Sequence, residues 1–130
     1  GNKDGIPVIF LHGGPGAGCN AQHRSYFDPA IYHIILFDQR GCGRSKPKGE
    51  LSENNTAALV EDIDAIRRHL GISQWLIFGG SWGATLGLIY AQKYPERVLG
   101  MILRGIFLGR QQDIDWAYSS KGAAQLLPQA

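Results

Sequence analysis

A doubly wound parallel α/β sheet is the fold class that this sequence predicts, on three observations. Short apolar runs such as Pro7-Val8-Ile9-Phe10-Leu11 lack the alternation of a one-sided strand, as strands buried on both faces do. Between such runs lie segments with helical spacing, most clearly Leu59, Ile63, Ile66 and Leu70. The order strand, loop, strand, helix, strand, helix, strand is the alternation that parallel winding requires, and no repeat or low-complexity linker breaks it.

The elements follow in turn. After the first strand comes the loop His12-Gly13-Gly14-Pro15-Gly16-Ala17-Gly18. A second strand spans about His33 to Phe37 and ends at Asp38, ahead of Gln39-Arg40-Gly41-Cys42-Gly43-Arg44-Ser45. The spacing predicts a helix over Thr56 to Leu70, with Glu61, Asp62 and Asp64 before Arg67 and Arg68, as the helix dipole favours, and Gly71 as its stop. Gln74 to Phe78 reads as the third strand. A helix from Trp82 to about Tyr94 ends before Pro95, its Ala84, Gly87 and Ala91 allowing close approach to the sheet. Val98 to Arg104 is the fourth strand, and Gln111 to Gln125 reads as one or two helical segments. Residues 1–110 are thus expected to be sheet core, and 111–130 a helical stretch apart from it.

Composition narrows the class. With 130 residues the chain is one domain at most, able to bury roughly two-thirds of its unfolded surface. Hydrophobic content of 44% and charged content of 18% are ordinary for a globular protein. A net charge of +2 with no basic stripe argues against a nucleic-acid partner. No apolar run has the length of a membrane span, and no signal-peptide pattern opens the chain. Cys19 and Cys42 have no metal spacing and are too few for a disulfide framework, so a cytoplasmic setting without metal or other cofactor is expected.

Two glycine patterns compete for the chemistry. Gly16-Ala17-Gly18-Cys19-Asn20-Ala21 fits G-x-G-x-x-A, and Asp38 follows Gly18 by 20 residues, the outline of a dinucleotide site. The first glycine of that motif should leave its strand directly, yet Gly16 stands five residues beyond Leu11 in a wide, proline-containing loop. Gly79-Gly80-Ser81-Trp82-Gly83 fits better, as a nucleophile elbow. Such a turn holds its serine in a backbone region that side chains avoid, so bulky neighbours two positions away would collide. The helix after it aims its first N–H groups where an oxyanion would form. In α/β-hydrolase folds a second oxyanion donor comes from the loop after an earlier strand, a place that Gly13 and Gly14 fill. A positive φ at Ser81, and contact with this loop, are the structural expectations.

The blocks His-Gly-Gly-Pro-Gly at 12–16, Asp-Gln-Arg-Gly-Cys-Gly-Arg-Ser at 38–45, Gly-Gly-Ser-Trp-Gly at 79–83 and Leu-Arg-Gly-Ile-Phe-Leu at 103–108 resemble the proline iminopeptidase (prolyl aminopeptidase) family of serine exopeptidases. The resemblance covers nearly the whole chain in order. It implies a partial α/β-hydrolase fold, with 111–130 as the start of its helical cap, and release of N-terminal proline from peptides. Ser81 would be the nucleophile, and the amides of Trp82 and of Gly14 or Gly13 the oxyanion donors. Phe107 takes the place of an aromatic that helps line the proline pocket. Ala117, after Trp116, departs from the family, which has an aromatic there.

A serine nucleophile needs a histidine base and an orienting carboxylate, which in this fold follow the serine in the order acid, then histidine. His12, His23, His33 and His69 all precede Ser81, and the only later acids are Glu96, Asp113 and Asp115. The chain therefore reads as an N-terminal piece of a longer protein, with a triad incomplete within it and no turnover expected of it alone. An esterase or amidase of the same fold, or a non-catalytic module on the same scaffold, are the alternatives. Nucleophilic-aspartate chemistry, as in epoxide hydrolases, is disfavoured by the serine at 81.

Overall fold

The computed structural model describes residues 1–126. Its strands are β1 (Ile6–Leu11), β2 (Tyr32–Leu36), β3 (Trp75–Gly80) and β4 (Val98–Arg104), paired in the order β2-β1-β3-β4. Every pairing is parallel, with Ile9 opposite both Ile35 and Ile77, and Phe78 opposite Ile102.

The chain steps from β1 outward to β2, returns past β1 through α1 (Thr56–His69) to β3, and continues through α2 (Trp82–Lys93) to β4. Right-handed crossovers that move in opposite directions cover opposite faces of a sheet. Packing follows that rule. Leu59, Val60 and Ile63 of α1 and Leu86 and Tyr90 of α2 share one core with Ile9, Leu11, Ile35, Trp75 and Ile77. Val8 and Phe10 point to the other face and pack with Phe27, just after a 3₁₀ helix at Ala21–Tyr26. The winding reverses between β1 and β3, so the segments leaving their adjacent C-terminal ends diverge there. Ligand sites of open parallel sheets lie at such a switch point.

Helix α1 begins where the Asn55 side chain accepts the Ala58 N–H at 3.0 Å, a cap worth about 1 kcal/mol. It ends before Gly71, whose φ of +67° suits the predicted stop. Its inner face departs from the expected stripe: Leu70, the C-cap, is largely exposed, and Asp64 and Arg67 are buried instead. Arg67 Nε meets Asp64 Oδ1 at 2.8 Å, and its guanidinium also donates to the Ile72 carbonyl at 2.6 Å. Tyr90 of α2 donates to the same Asp64 oxygen at 3.3 Å, so the pair joins the two helices. Helical periodicity cannot tell a solvated ion pair from one tucked under a neighbouring helix.

Other differences are local. β2 starts at Tyr32 and stops at Leu36, one residue earlier than predicted at each end, and β3 runs on to Gly80 because Gly79 and Gly80 pair with Leu103 and Arg104. The 3₁₀ segments Ala21–Tyr26 and Pro95–Arg97 are too short to show a period. β4 is an edge strand of the sheet, with Leu99 and Ile102 each 51% exposed. Beyond it lie α3 (Gln111–Tyr118) and a 3₁₀ turn at Ala123–Leu126, the two segments foreseen in Gln111 to Gln125. Residues 127–130, the end of the run read as leading into a cap, lie outside the described residues.

Candidate active site

At the C-terminal end of β3 the chain turns from strand to helix through a single residue. Ser81 has φ +54° and ψ −122°, the positive φ expected of it, and its N–H donates to the Arg104 carbonyl of β4 at 3.1 Å. A non-glycine residue there stores about 1–3 kcal/mol of backbone strain. Glycine on both sides makes the geometry possible. A methyl on Gly79 would lie 2.3 Å from the Gly83 carbonyl oxygen, across the turn. One on Gly83 would lie 2.0 Å from the Leu11 carbonyl oxygen, because the start of α2 is pressed against the end of β1.

That pressure brings the first glycine loop to the serine. A methyl on Gly13 would stand 3.1 Å from the Gly80 carbonyl oxygen, 3.3 Å from Ser81 Cβ and 3.8 Å from its Oγ, a tight fit against the elbow. The ladder of α2 opens with Ala84 and Thr85 bonding to the Ser81 carbonyl. The amides of Trp82 and Gly83 precede it and have no carbonyl one turn back. Ser81, Gly13 and Trp82 thus meet at the C-terminal ends of β1 and β3, with Gly14 next along the same loop. Phe107 belongs to a loop that passes over the same helix start, where the Thr85 hydroxyl donates to the Phe107 carbonyl.

His12 anchors the glycine loop. Its ring is buried, and the Gln39 N–H donates to Nε2 at 3.0 Å. Nδ1 lies within hydrogen-bond reach of both the Gly13 carbonyl at 2.9 Å and the Gly18 N–H at 3.2 Å. Burial pushes this histidine below its ordinary range, and both nitrogens are engaged by backbone, so it cannot serve Ser81 as base. His23 stacks on Phe10 at 4.5 Å on the opposite face of the sheet, and His69 closes α1. Glu96 pairs with Arg97, Asp113 with Arg110, and Asp115 accepts from Gln111. None of the residues after Ser81 that could complete a triad is placed to do so.

Asp38 turns inward. Its Oδ1 accepts the Cys19 N–H at 2.6 Å, and its Oδ2 accepts the Arg44 N–H at 2.9 Å and Arg44 Nε at 2.8 Å. These bonds tie the glycine loop to the segment after β2 and leave the carboxylate nothing to offer a ribose. Burial alone would raise its pKa, but the bonds from Arg44 and Cys19 outweigh it and hold the group at about 2. A carboxylate lowered from 3.8 stabilises the fold fully above that value, and the contribution fades as pH falls toward 2. The difference is worth about 2 kcal/mol. Asp38→Asn is expected to be less stable at pH 6 and to lose less on going to pH 2.5, by about that amount, in urea titrations. Parallel curves for the two proteins would contradict the assignment.

The cysteines are not rival nucleophiles. Burial, reinforced by Asp38, pushes the Cys19 thiol up to about 11, and it donates to the Phe37 carbonyl. Cys42 is raised by burial as well and donates to the Gln39 carbonyl. Both are free thiols. Among the described residues, no three His, Cys, Asp or Glu side chains are placed to hold a metal ion. Nor is any helix there long and apolar enough to cross a membrane.

A strained serine on a sharp strand-to-helix turn, beside a glycine loop at a switch point, defines a class of protein. The chain belongs to the alpha/beta hydrolase fold family, whose model matches residues 6–129. Its relatives are more particular. It is 55% identical over its whole length to a proline iminopeptidase of Arabidopsis thaliana, covering 34% of that protein. It is 56% identical over its whole length to a probable proline iminopeptidase of Leptolyngbya boryana, covering 40% of it. The chain therefore spans well under half the length of these relatives. Among solved structures, an epoxide hydrolase of Vigna radiata superposes with a TM-score of 0.73 at 25% identity, over 88% of this chain and 38% of the other. Backbone likeness thus extends across several chemistries of the fold.

Reading the sequence alone missed the work of Gln39 and Thr85. Gln39 is buried and bonded at both ends of its side chain, yet it lies in a loop whose neighbours are charged and glycine residues, where no periodicity marks it. The one available signal was its place inside the Asp38–Ser45 block.

Proposed function

We propose that this chain carries the nucleophile and oxyanion hole of a serine exopeptidase that releases N-terminal proline from peptides. Ser81 attacks the carbonyl carbon of the first residue, and the amides of Trp82 and of Gly14 or Gly13 receive the developing oxyanion. The base takes the Ser81 proton and gives it to the amine of the second residue as the peptide C–N bond breaks. This leaves a prolyl ester on Ser81, which water then hydrolyses to free proline. The base and its carboxylate come from sequence outside this chain, as does the group that holds the substrate's amine. Phe107 lines the proline pocket, and residues from 111 onward begin the helical cap. A cytoplasmic setting belongs to the same proposal, supported by two free thiols.

The observation that carries the reading is Ser81 at φ +54° beside Gly13, a geometry with a strain cost and no structural benefit apparent in the turn itself. Identity above 50% to proline iminopeptidases supports the substrate class. The test is to assay the full-length protein that carries this chain on prolyl-, alanyl- and leucyl-p-nitroanilide and on p-nitrophenyl acetate. The expected result is strong preference for the prolyl amide. Ester hydrolysis without prolyl-amide cleavage would leave the elbow standing and remove the peptidase assignment.

A further inference from the structure

The two oxyanion donors come from segments far apart in sequence, and one buried side chain holds both. Gln39 Nε2 donates to the His12 carbonyl at 2.9 Å, at the root of the Gly13–Gly14 loop. Its Oε1 accepts from Trp82 Nε1 at 3.1 Å, on the residue that follows the nucleophile. The direction of the amide is unambiguous, since a carbonyl only accepts and an indole N–H only donates. The Gln39 backbone is itself fixed, its N–H on His12 Nε2 and its carbonyl under the Cys42 thiol at 3.0 Å. The residue is 3% exposed and its bond to His12 is buried, where an unmet partner is costly; the bond to Trp82 is partly buried. Among the described residues no other side chain bonds to both segments.

We infer that Gln39 is a positioning residue for the oxyanion hole: it sets the separation between the amides of the glycine loop and that of Trp82. The inference rests on the acyl-transfer reading above. Oxyanion stabilisation is geometric, with donors needed within about 2.7–3.1 Å of an oxygen that exists only in the transition state. A loop free to drift by about 1 Å can cost on the order of 100-fold in rate. Glutamine is the residue that fits. It spans a carbonyl on one side and an N–H on the other, whereas glutamate could serve only the indole and leucine neither.

The test uses the full-length protein with Gln39→Leu, Gln39→Glu and Trp82→Phe, the last removing only the indole end. We expect kcat for prolyl-p-nitroanilide to fall roughly 10–100-fold in Gln39→Leu, with KM within about twofold. Affinity for pyrrolidine-2-boronic acid, whose tetrahedral adduct places an oxygen in the hole, should fall by the same factor. Inhibition by proline, which needs no oxyanion, should not move. Trp82→Phe should lose less, and its combination with Gln39→Leu should add nothing, because both cut one bridge. If Gln39→Leu fails to fold, Gln39→Glu and Trp82→Phe carry the same readouts. Unchanged kcat in the folded variants, or equal losses of boronate and proline binding, would overturn the assignment. A wild-type protein that cleaves p-nitrophenyl acetate but no prolyl amide removes the peptidase reading only. The same variants then decide on the ester. A wild type inert to both substrates overturns both readings.

Discussion

Ser81→Ala in the full-length protein is expected to lower kcat for the proposed release of N-terminal proline by about a millionfold while leaving the fold intact. The magnitude follows from the way triad members act as a unit: removing the nucleophile or the base of a serine triad costs on the order of 10⁶, and the oxyanion hole with binding alone retains only about 10³–10⁴ over water. Stability should hold or rise slightly. The hydroxyl caps nothing at the start of α2, and alanine accepts φ +54° no worse than serine does. For the same reason the 130-residue chain by itself should show no turnover, since its four histidines are committed elsewhere: His12 to backbone, His23 to the far face, His33 to β2 and His69 to the end of α1. Steady-state rates on prolyl-p-nitroanilide, with active-site titration by a serine-directed phosphonate, measure the effect. Residual activity within a hundredfold of wild type would mean that another group attacks the substrate.

Gly83→Ala is expected to have the largest effect on stability. Its methyl would meet the Leu11 carbonyl oxygen at 2.0 Å, the Leu11 carbonyl carbon at 2.7 Å and the His12 carbonyl oxygen at 3.0 Å. All three are backbone atoms and cannot swing aside as a side chain would. Either α2 moves off β1 or β1 bends, and the core formed by Leu11, Ile77 and Leu86 opens in both cases. A loss of about 3 kcal/mol or more is expected in urea titrations, together with loss of activity in the fraction that folds, since His12 roots the oxyanion loop. Gly16→Ala is the control. Its methyl meets no atom within 4 Å, so only the φ of +91° counts against it, at about 1–2 kcal/mol. Similar losses for the two variants would show that backbone conformation, not the contact between helix and strand, makes Gly83 necessary.

Much of this molecule follows from local sequence. Apolar runs and helical spacing determined the four strands and two main helices, because a strand buried on both faces and a helix packed on one must each write that burial into neighbouring residues. Gly79-x-Ser81-x-Gly83 announced the elbow, since the collision at Gly79 is with Gly83, inside the same turn. The tertiary structure decided what depends on residues distant in the chain. Gly83 must be glycine because of Leu11, more than seventy residues earlier. Asp64 and Arg67 are buried because Tyr90 covers them, where their sequence reads as a solvated helix end. Leu99 and Ile102 are half exposed on β4, an edge strand among the described residues. Gln39 gains its place because β1, β2 and α2 converge at one end of the sheet, and a hydrogen bond, unlike burial, leaves no period in a sequence.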